Sequence, residues 1–139
     1  MIGRINHIGI ATPDVEKEAE NWAQLYGAID AEPAFDLPEQ GVRVKFVNLP
    51  NSQLELISPL TPQSPIAKFL EKNPKGGQHH ICFEVDDIIQ ARNAMVERGA
   101  KVLGDGNPRI GAHGVPVIFV HPVNSGGVLV ELMQQPKGH

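Results

Sequence analysis

Alternation of apolar and polar side chains dominates this chain, and two stretches of helical spacing interrupt it at matching distances. Ile2–Ala11 carries Ile8 and Ile10 in period two, with His7 near its start, and predicts a strand. Thr12-Pro13-Asp14 supplies a turn and an oxygen acceptor ahead of Val15–Tyr26, where Ala19, Trp22, Ala23, Leu25 and Tyr26 recur at helical spacing before Gly27. After a proline-containing connection, 41–49 alternates Val42, Val44 and Phe46 against Arg43 and Lys45. A turn at Asn51-Ser52 leads into 53–57, with Leu54 and Leu56 against Gln53 and Glu55, so the two stretches predict a hairpin.

Ser64-Pro65 opens a short helix over 66–72, with proline in the first turn, where its missing N–H costs nothing. The stretch 76–87 begins with two glycines and runs into a strand in which Ile81, Phe83 and Val85 occupy one face. His80, Cys82 and Glu84 fall on the other face. A third helix is predicted over 88–98, with Ile88, Ala91, Met95 and Val96 inward and Gly99 as its stop. A short strand is predicted at 101–103 and a long glycine-containing loop at 104–114. Strands at 115–121 and 128–133 follow, and the tail from Gln134 is polar and expected to fray.

The second half repeats the first. Asn6-His7-Ile8-Gly9-Ile10 aligns with His79-His80-Ile81-Cys82-Phe83, Asp14 with Asp87, and the strand from Val42 with that from Val115, all at an offset of 73. Leu54-Glu55-Leu56-Ile57 aligns with Val130-Glu131-Leu132-Met133 at 76, the extra residues falling in the loop after Pro122. Each half therefore reads as strand, helix and three strands, the first of the three weakly written. Neither half buries a sheet face alone, so an α+β fold of two tandem βαβββ modules paired about a pseudo-twofold axis is expected. Module one covers about 1–60, a connecting helix 61–75 and module two about 76–135 of a single domain spanning 1–139.

Composition narrows the partners. With 139 residues and 41% apolar side chains, the chain can support one folded domain. A net charge of -4 and no basic stripe argue against nucleic acid. One cysteine leaves no disulfide framework and suits a reducing compartment, no apolar run has membrane-spanning length, and the chain enters its first strand without a targeting segment, so a cytoplasmic protein is expected.

The repeat places chemistry. Each half has one histidine in its first strand and one glutamate in its last: His7 with Glu55, and His80 with Glu131. A single carboxylate on a strand usually marks a solvated sheet face. Four ligand-type side chains set out by one internal repeat are poorly explained by solvation. Two imidazoles and two carboxylates suit a divalent ion of octahedral preference, with positions left for water or substrate, whereas a closed structural zinc site draws on more thiolates than Cys82 alone. His79, next to His80, points to the other face and reads as structural, while His113, in the glycine-rich loop, reads as a solvated histidine or a substrate contact.

These residues resemble the vicinal oxygen chelate, or glyoxalase-like, superfamily, in which such modules form a metal-lined curved sheet. Within it, nearly the whole chain resembles the methylmalonyl-CoA epimerase family. The resemblance is carried by Asn6-His7-Ile8-Gly9-Ile10-Ala11, Glu39-Gln40-Gly41-Val42, Glu55-Leu56-Ile57-Ser58-Pro59-Leu60, Ser64-Pro65-Ile66-Ala67-Lys68-Phe69-Leu70, Gly77-Gln78-His79-His80-Ile81, Gly111-Ala112-His113-Gly114 and Gly126-Gly127-Val128-Leu129-Val130-Glu131-Leu132. It implies an isomerase that interconverts (R)- and (S)-methylmalonyl-CoA by removing and returning the α-proton through a metal-stabilised enolate, with a homodimer as the working form. It implies His7, His80 and Glu131 as ligands to a divalent metal, typically cobalt, with manganese, nickel, zinc or iron as substitutes. Glu55 joins them at a position where some relatives have Gln. Glu131 is the expected base on one face, and Lys45, Lys68 and Arg109 are the cations available to the CoA tail. Some relatives carry a glutamate three residues after the Gln-Gly-Val glycine; here it is Val44, so Glu55 is the candidate second acid/base. The alternatives are a glyoxalase-like lyase, which would need glutathione, an extradiol-type dioxygenase with two His and one carboxylate on iron, and a non-catalytic small-molecule binder.

Overall fold

The computed structural model describes residues 1–136; the end of the polar tail, with His139, lies outside the described residues. The chain divides into two compact units, one of His7–His79 and the other of Met1–Asn6 with the chain from His80 onward. The division falls inside the first strand, β1 (Ile2–Ala11), and inside β6 (Gly77–Val85).

In the His7–His79 unit, β1 leads to helix α1 (Val15–Tyr26), two short strands β2 (Asp30–Ala31) and β3 (Phe35–Leu37), and the hairpin of β4 (Val42–Asn48) and β5 (Gln53–Pro59). The sheet order is β2-β4-β5-β1, with β3 also on β4. β5 lies parallel to β1, placing Gly9 opposite Glu55, and antiparallel to β4, placing Phe46 opposite Glu55. Alternation then sorts the sheet. Leu54, Leu56, Val47, Ile8 and Ile10 face α1 and pack on Val15, Ala19 and Trp22, whereas His7, Phe46 and Glu55 point the other way. Asp14 starts α1 by accepting from the amides of Glu16 (3.0 Å) and Lys17 (3.2 Å). Helix α2 (Pro65–Lys72) follows, capped by the Ser64 hydroxyl.

The other unit repeats this wiring with β6, α3 (Ile88–Glu97), β7 (Arg109–Ile110), β8 (Pro116–Val120) and β9 (Val130–Gln134), in the order β6-β9-β8-β7. β9 is parallel to β6, with Cys82 opposite Glu131, and antiparallel to β8, with Phe119 opposite Glu131. Ile88 and Ala91 of α3 bury against Val85, Ile118, Val120 and Leu132. Asp87 caps α3 through the amides of Ile89 (2.9 Å) and Gln90 (3.1 Å), as Asp14 caps α1.

Four local expectations are revised. Val96 is exposed, because the helical turn carries it about 100° away from the stripe of Ile88, Ala91 and Met95. Residues 101–103 form only a bridge from Val102 to Val120, since Gly99 and Gly104, both at positive φ, bend the chain on either side. The loop 104–114 contains β7. Gln134 is held: its Oε1 accepts from the Ile88 amide at 2.9 Å and its Nε2 donates to the Asp86 carbonyl, which ties β9 to the start of α3. No helix among the described residues is long and apolar enough to cross a membrane.

Candidate active site

In the His7–His79 unit, the register that sets Gly9 opposite Glu55 leaves no side chain between that carboxylate and His7, two residues earlier on β1. His7 Nε2 lies 3.7 Å from Glu55 Oε2, with 1% and 8% of the two side chains exposed. Phe46, across the other edge of β5, stands against the His7 ring with centroids 6.2 Å apart and planes at 70°. The second unit builds the same group. His80 Nε2 lies 3.1 Å from Glu131 Oε1, with 3% and 7% exposed, and Phe119 meets the His80 ring at 5.6 Å and 83°. Cys82 occupies the place that Gly9 holds in the first unit, and its sulfur lies within 4.8 Å of the Glu131 carboxylate.

Burying a carboxylate is costly unless it is paired, hydrogen-bonded or bound to a cation. The buried Glu84 meets that requirement with the Asn6 amide at 2.8 Å and the Arg4 guanidinium at 3.6 Å. Glu55 and Glu131 face imidazoles instead, groups that donate a proton when charged and a lone pair when neutral. An imidazole nitrogen beside a carboxylate oxygen, buried twice over, is a ligand set for a divalent ion. The glycine at 111 lets the 111–114 turn close beside Glu131, for a Cβ there would come 2.9 Å from Val117 Cγ1 and 3.7 Å from Glu131 Oε2.

The remaining candidates are scattered. Lys45 is on the opposite face of β4 from Phe46, directed at α1, where its Nζ is 3.4 Å from Glu16 Oε1. Lys68 lies exposed on α2, and Arg109 exposed on β7. Arg109 is near Asp105, whose carboxyl is held below the ordinary aspartate range chiefly by the Asn107 backbone N–H, with the guanidinium adding to the effect. His113 is half-buried in the turn after Gly111. Val44 is buried on the same face as Glu55, paired with Phe35 and Ile57. His79 packs edge-on against Phe69 of α2 at 5.2 Å. A depression of about 320 Å³ floored by Ile8, Ile10 and Trp22 lies on the α1 side of the sheet, away from His7 and Glu55.

Sequence reasoning missed Phe46 and Phe119. Both were visible at the offset of 73, but an apolar residue in an alternating strand reads as core.

A duplicated βαβββ arrangement with a histidine in the first strand and a glutamate in the last of each copy defines a class of metal-centred α+β proteins. The glyoxalase/bleomycin resistance protein/dioxygenase superfamily model matches residues 6–119. The chain is 55% identical over 134 residues to the ethylmalonyl-CoA/methylmalonyl-CoA epimerase of Cereibacter sphaeroides, covering 96% of this chain and 99% of that protein. It is 52% identical over 133 residues to the mitochondrial methylmalonyl-CoA epimerase of Homo sapiens, covering 96% and 74% of the two chains. A variant of Streptomyces coelicolor methylmalonyl-CoA epimerase, solved with 2-nitronate-propionyl-CoA, superposes with a TM-score of 0.89 at 33% identity, covering 99% of this chain and 97% of that one. The chain belongs to the methylmalonyl-CoA epimerase family of that superfamily.

Proposed function

We propose that this chain is an isomerase that interconverts (R)- and (S)-methylmalonyl-CoA. The observation that carries the reading is the pair of buried His–Glu groups, at 3.7 Å and 3.1 Å, in a chain more than half identical to an epimerase of that substrate. The α-hydrogen lies between a thioester and a carboxylate, so its removal leaves negative charge on oxygen. His7, Glu55, His80 and Glu131 would together hold one divalent ion. Two nitrogens and two carboxylate oxygens fit cobalt(II), with manganese, nickel, zinc and iron as competitors. When bound, the ion supplies Lewis-acid stabilisation of that oxygen charge. Glu131 accepts the α-proton on one face and Glu55, the carboxylate available where Val44 cannot exchange a proton, returns one on the other. Their burial supports the role, since it keeps bulk water from the proton being moved.

Lys68 and Arg109, both exposed, are available to the phosphates of CoA, and His113 to the acyl end; Lys45 would first have to leave Glu16. The working form is a homodimer, which light scattering at micromolar concentration would detect as twice the chain mass. Its single cysteine is buried and leaves no disulfide to form within the chain, which suits the reducing cytoplasm.

The test is deuterium wash-in from solvent at the α-carbon of methylmalonyl-CoA, with and without chelator. Exchange that a chelator stops and cobalt restores supports the proposal, and no chelator-sensitive exchange overturns it. Ethylmalonyl-CoA belongs in the same assay, because the Cereibacter relative's name includes it.

A further inference from the structure

We infer that Phe46 and Phe119 are positioning residues, each setting the ring orientation of the histidine beside it and so the direction of its Nε2. Three observations carry this. In each unit the phenylalanine is the direct cross-strand partner of the site glutamate. In each, its ring stands steeply to the imidazole, at 70° and 6.2 Å for His7 and 83° and 5.6 Å for His80. In each, the imidazole Nε2 is the atom facing the carboxylate.

The two copies differ in much else. Gly9 stands opposite Glu55 and Cys82 opposite Glu131, and Phe46 also touches Phe35 at 6.1 Å. A core residue needs only volume, yet the aromatic ring and its angle recur while the neighbours change.

The physical need is plain. Rotation about the imidazole's outer torsion is broad and roughly two-fold, so burial alone leaves a ring flip that exchanges the atoms presented to the glutamate. An edge-to-face partner favours one of the two states by roughly two- to tenfold over an aliphatic residue of similar bulk. Two such contacts, one per unit, act on two ligands, and a flipped imidazole turns a carbon where a nitrogen is required.

The orientation of the rings is a property of the metal-free protein, and its effect on ion binding rests on the functional reading above. The test replaces the ring while keeping apolar bulk. In metal-free Phe119→Leu, the His80 signals that report ring orientation and tautomer apart from the lost ring current, the ring-proton NOE pattern and the two-bond nitrogen–proton couplings, are expected to change. Cobalt(II) is expected to bind about two- to tenfold more weakly by calorimetry, with an altered visible absorption. Ile118→Val, on the opposite face of β8, is expected to lower Tm but leave the imidazole signals and cobalt spectrum in place. Phe119→Tyr, which keeps the ring, is expected to restore the wild-type signature, and Phe46→Leu to do the same damage at His7. Unchanged His80 signals in Phe119→Leu, or changes no larger than those in Ile118→Val, overturn the inference. If Phe119→Leu does not fold, Phe46→Leu decides the question in the same way through the His7 signals. A wild-type chain that binds no cobalt defeats the functional reading, while the imidazole signals still decide the role of the rings.

Discussion

Glu55 and Glu131 occupy matching places, each beside a histidine and a phenylalanine, but Gly9 stands opposite one and Cys82 opposite the other, and single substitutions separate their roles. Glu131→Gln keeps the shape and removes the carboxylate 3.1 Å from His80; it is expected to abolish α-proton exchange, measured by deuterium wash-in. Glu55→Gln is expected to retain the ion, because a carboxamide oxygen still ligates, while exchange from one enantiomer falls; unchanged epimerisation would remove Glu55 as an acid/base. Gly111→Ala forces a methyl to within 2.9 Å of Val117 Cγ1, a crowding worth about 1–3 kcal/mol, which urea denaturation would read. The histidines and glutamates were legible in the sequence because alternation separated His80 from His79 and the repeat tied His80 to His7. Lys45 was not placed, since alternation sets it opposite Phe46 but only pairing with β5 tells which side holds Glu55.

The elements were legible where propensity and capping agree. Asp14 and Asp87 announce α1 and α3, and replacing either with Ala is expected to cost about 0.5–2 kcal/mol by chemical denaturation. β2 and β3, two and three residues long and separated by Pro33, carry too few positions for alternation and exist because β4 offers both a partner. In the 104–110 loop, the carboxyl of Asp105 is lowered in the folded chain. The contact with Asn107 is therefore complete above the ordinary aspartate range and lost as pH falls through the lower folded value, which the Asn107 amide shift would follow. Gly76 matters more than any of these. At φ 94°, a Cβ there would stand 2.2 Å from the Ala11 carbonyl oxygen, so the α2–β6 connection can meet the end of β1 only as glycine.

For the whole molecule, the offset of 73, widening to 76 at the last strand, foretold the connectivity of both units, because it recurs in strands, caps and ligand positions alike. The compact units divide immediately before His7 and His80, which no periodicity reveals, since compactness depends on contacts between residues far apart in sequence. Leu56, fully buried between β5 and α1, tests the first unit: Leu56→Ala is expected to cost about 2–5 kcal/mol. A divalent ion bound by the proposed ligands would stabilise only the folded chain, so cobalt at a hundred times its Kd is expected to add about 2.7 kcal/mol, seen as a rise in Tm that chelator reverses.

The membership of Met1–Asn6 in the later unit has a consequence for synthesis. Asn6 and Arg4 are partners of Glu84, so residues made before the His7–His79 unit serve a carboxylate that leaves the ribosome only after it. That unit has its own core and can collapse as it emerges, with residues 1–6 held in waiting. Nascent chains arrested once residue 79 has cleared the ribosome exit should therefore protect the middle of the His7–His79 unit from protease while residues 1–6 stay open to cleavage.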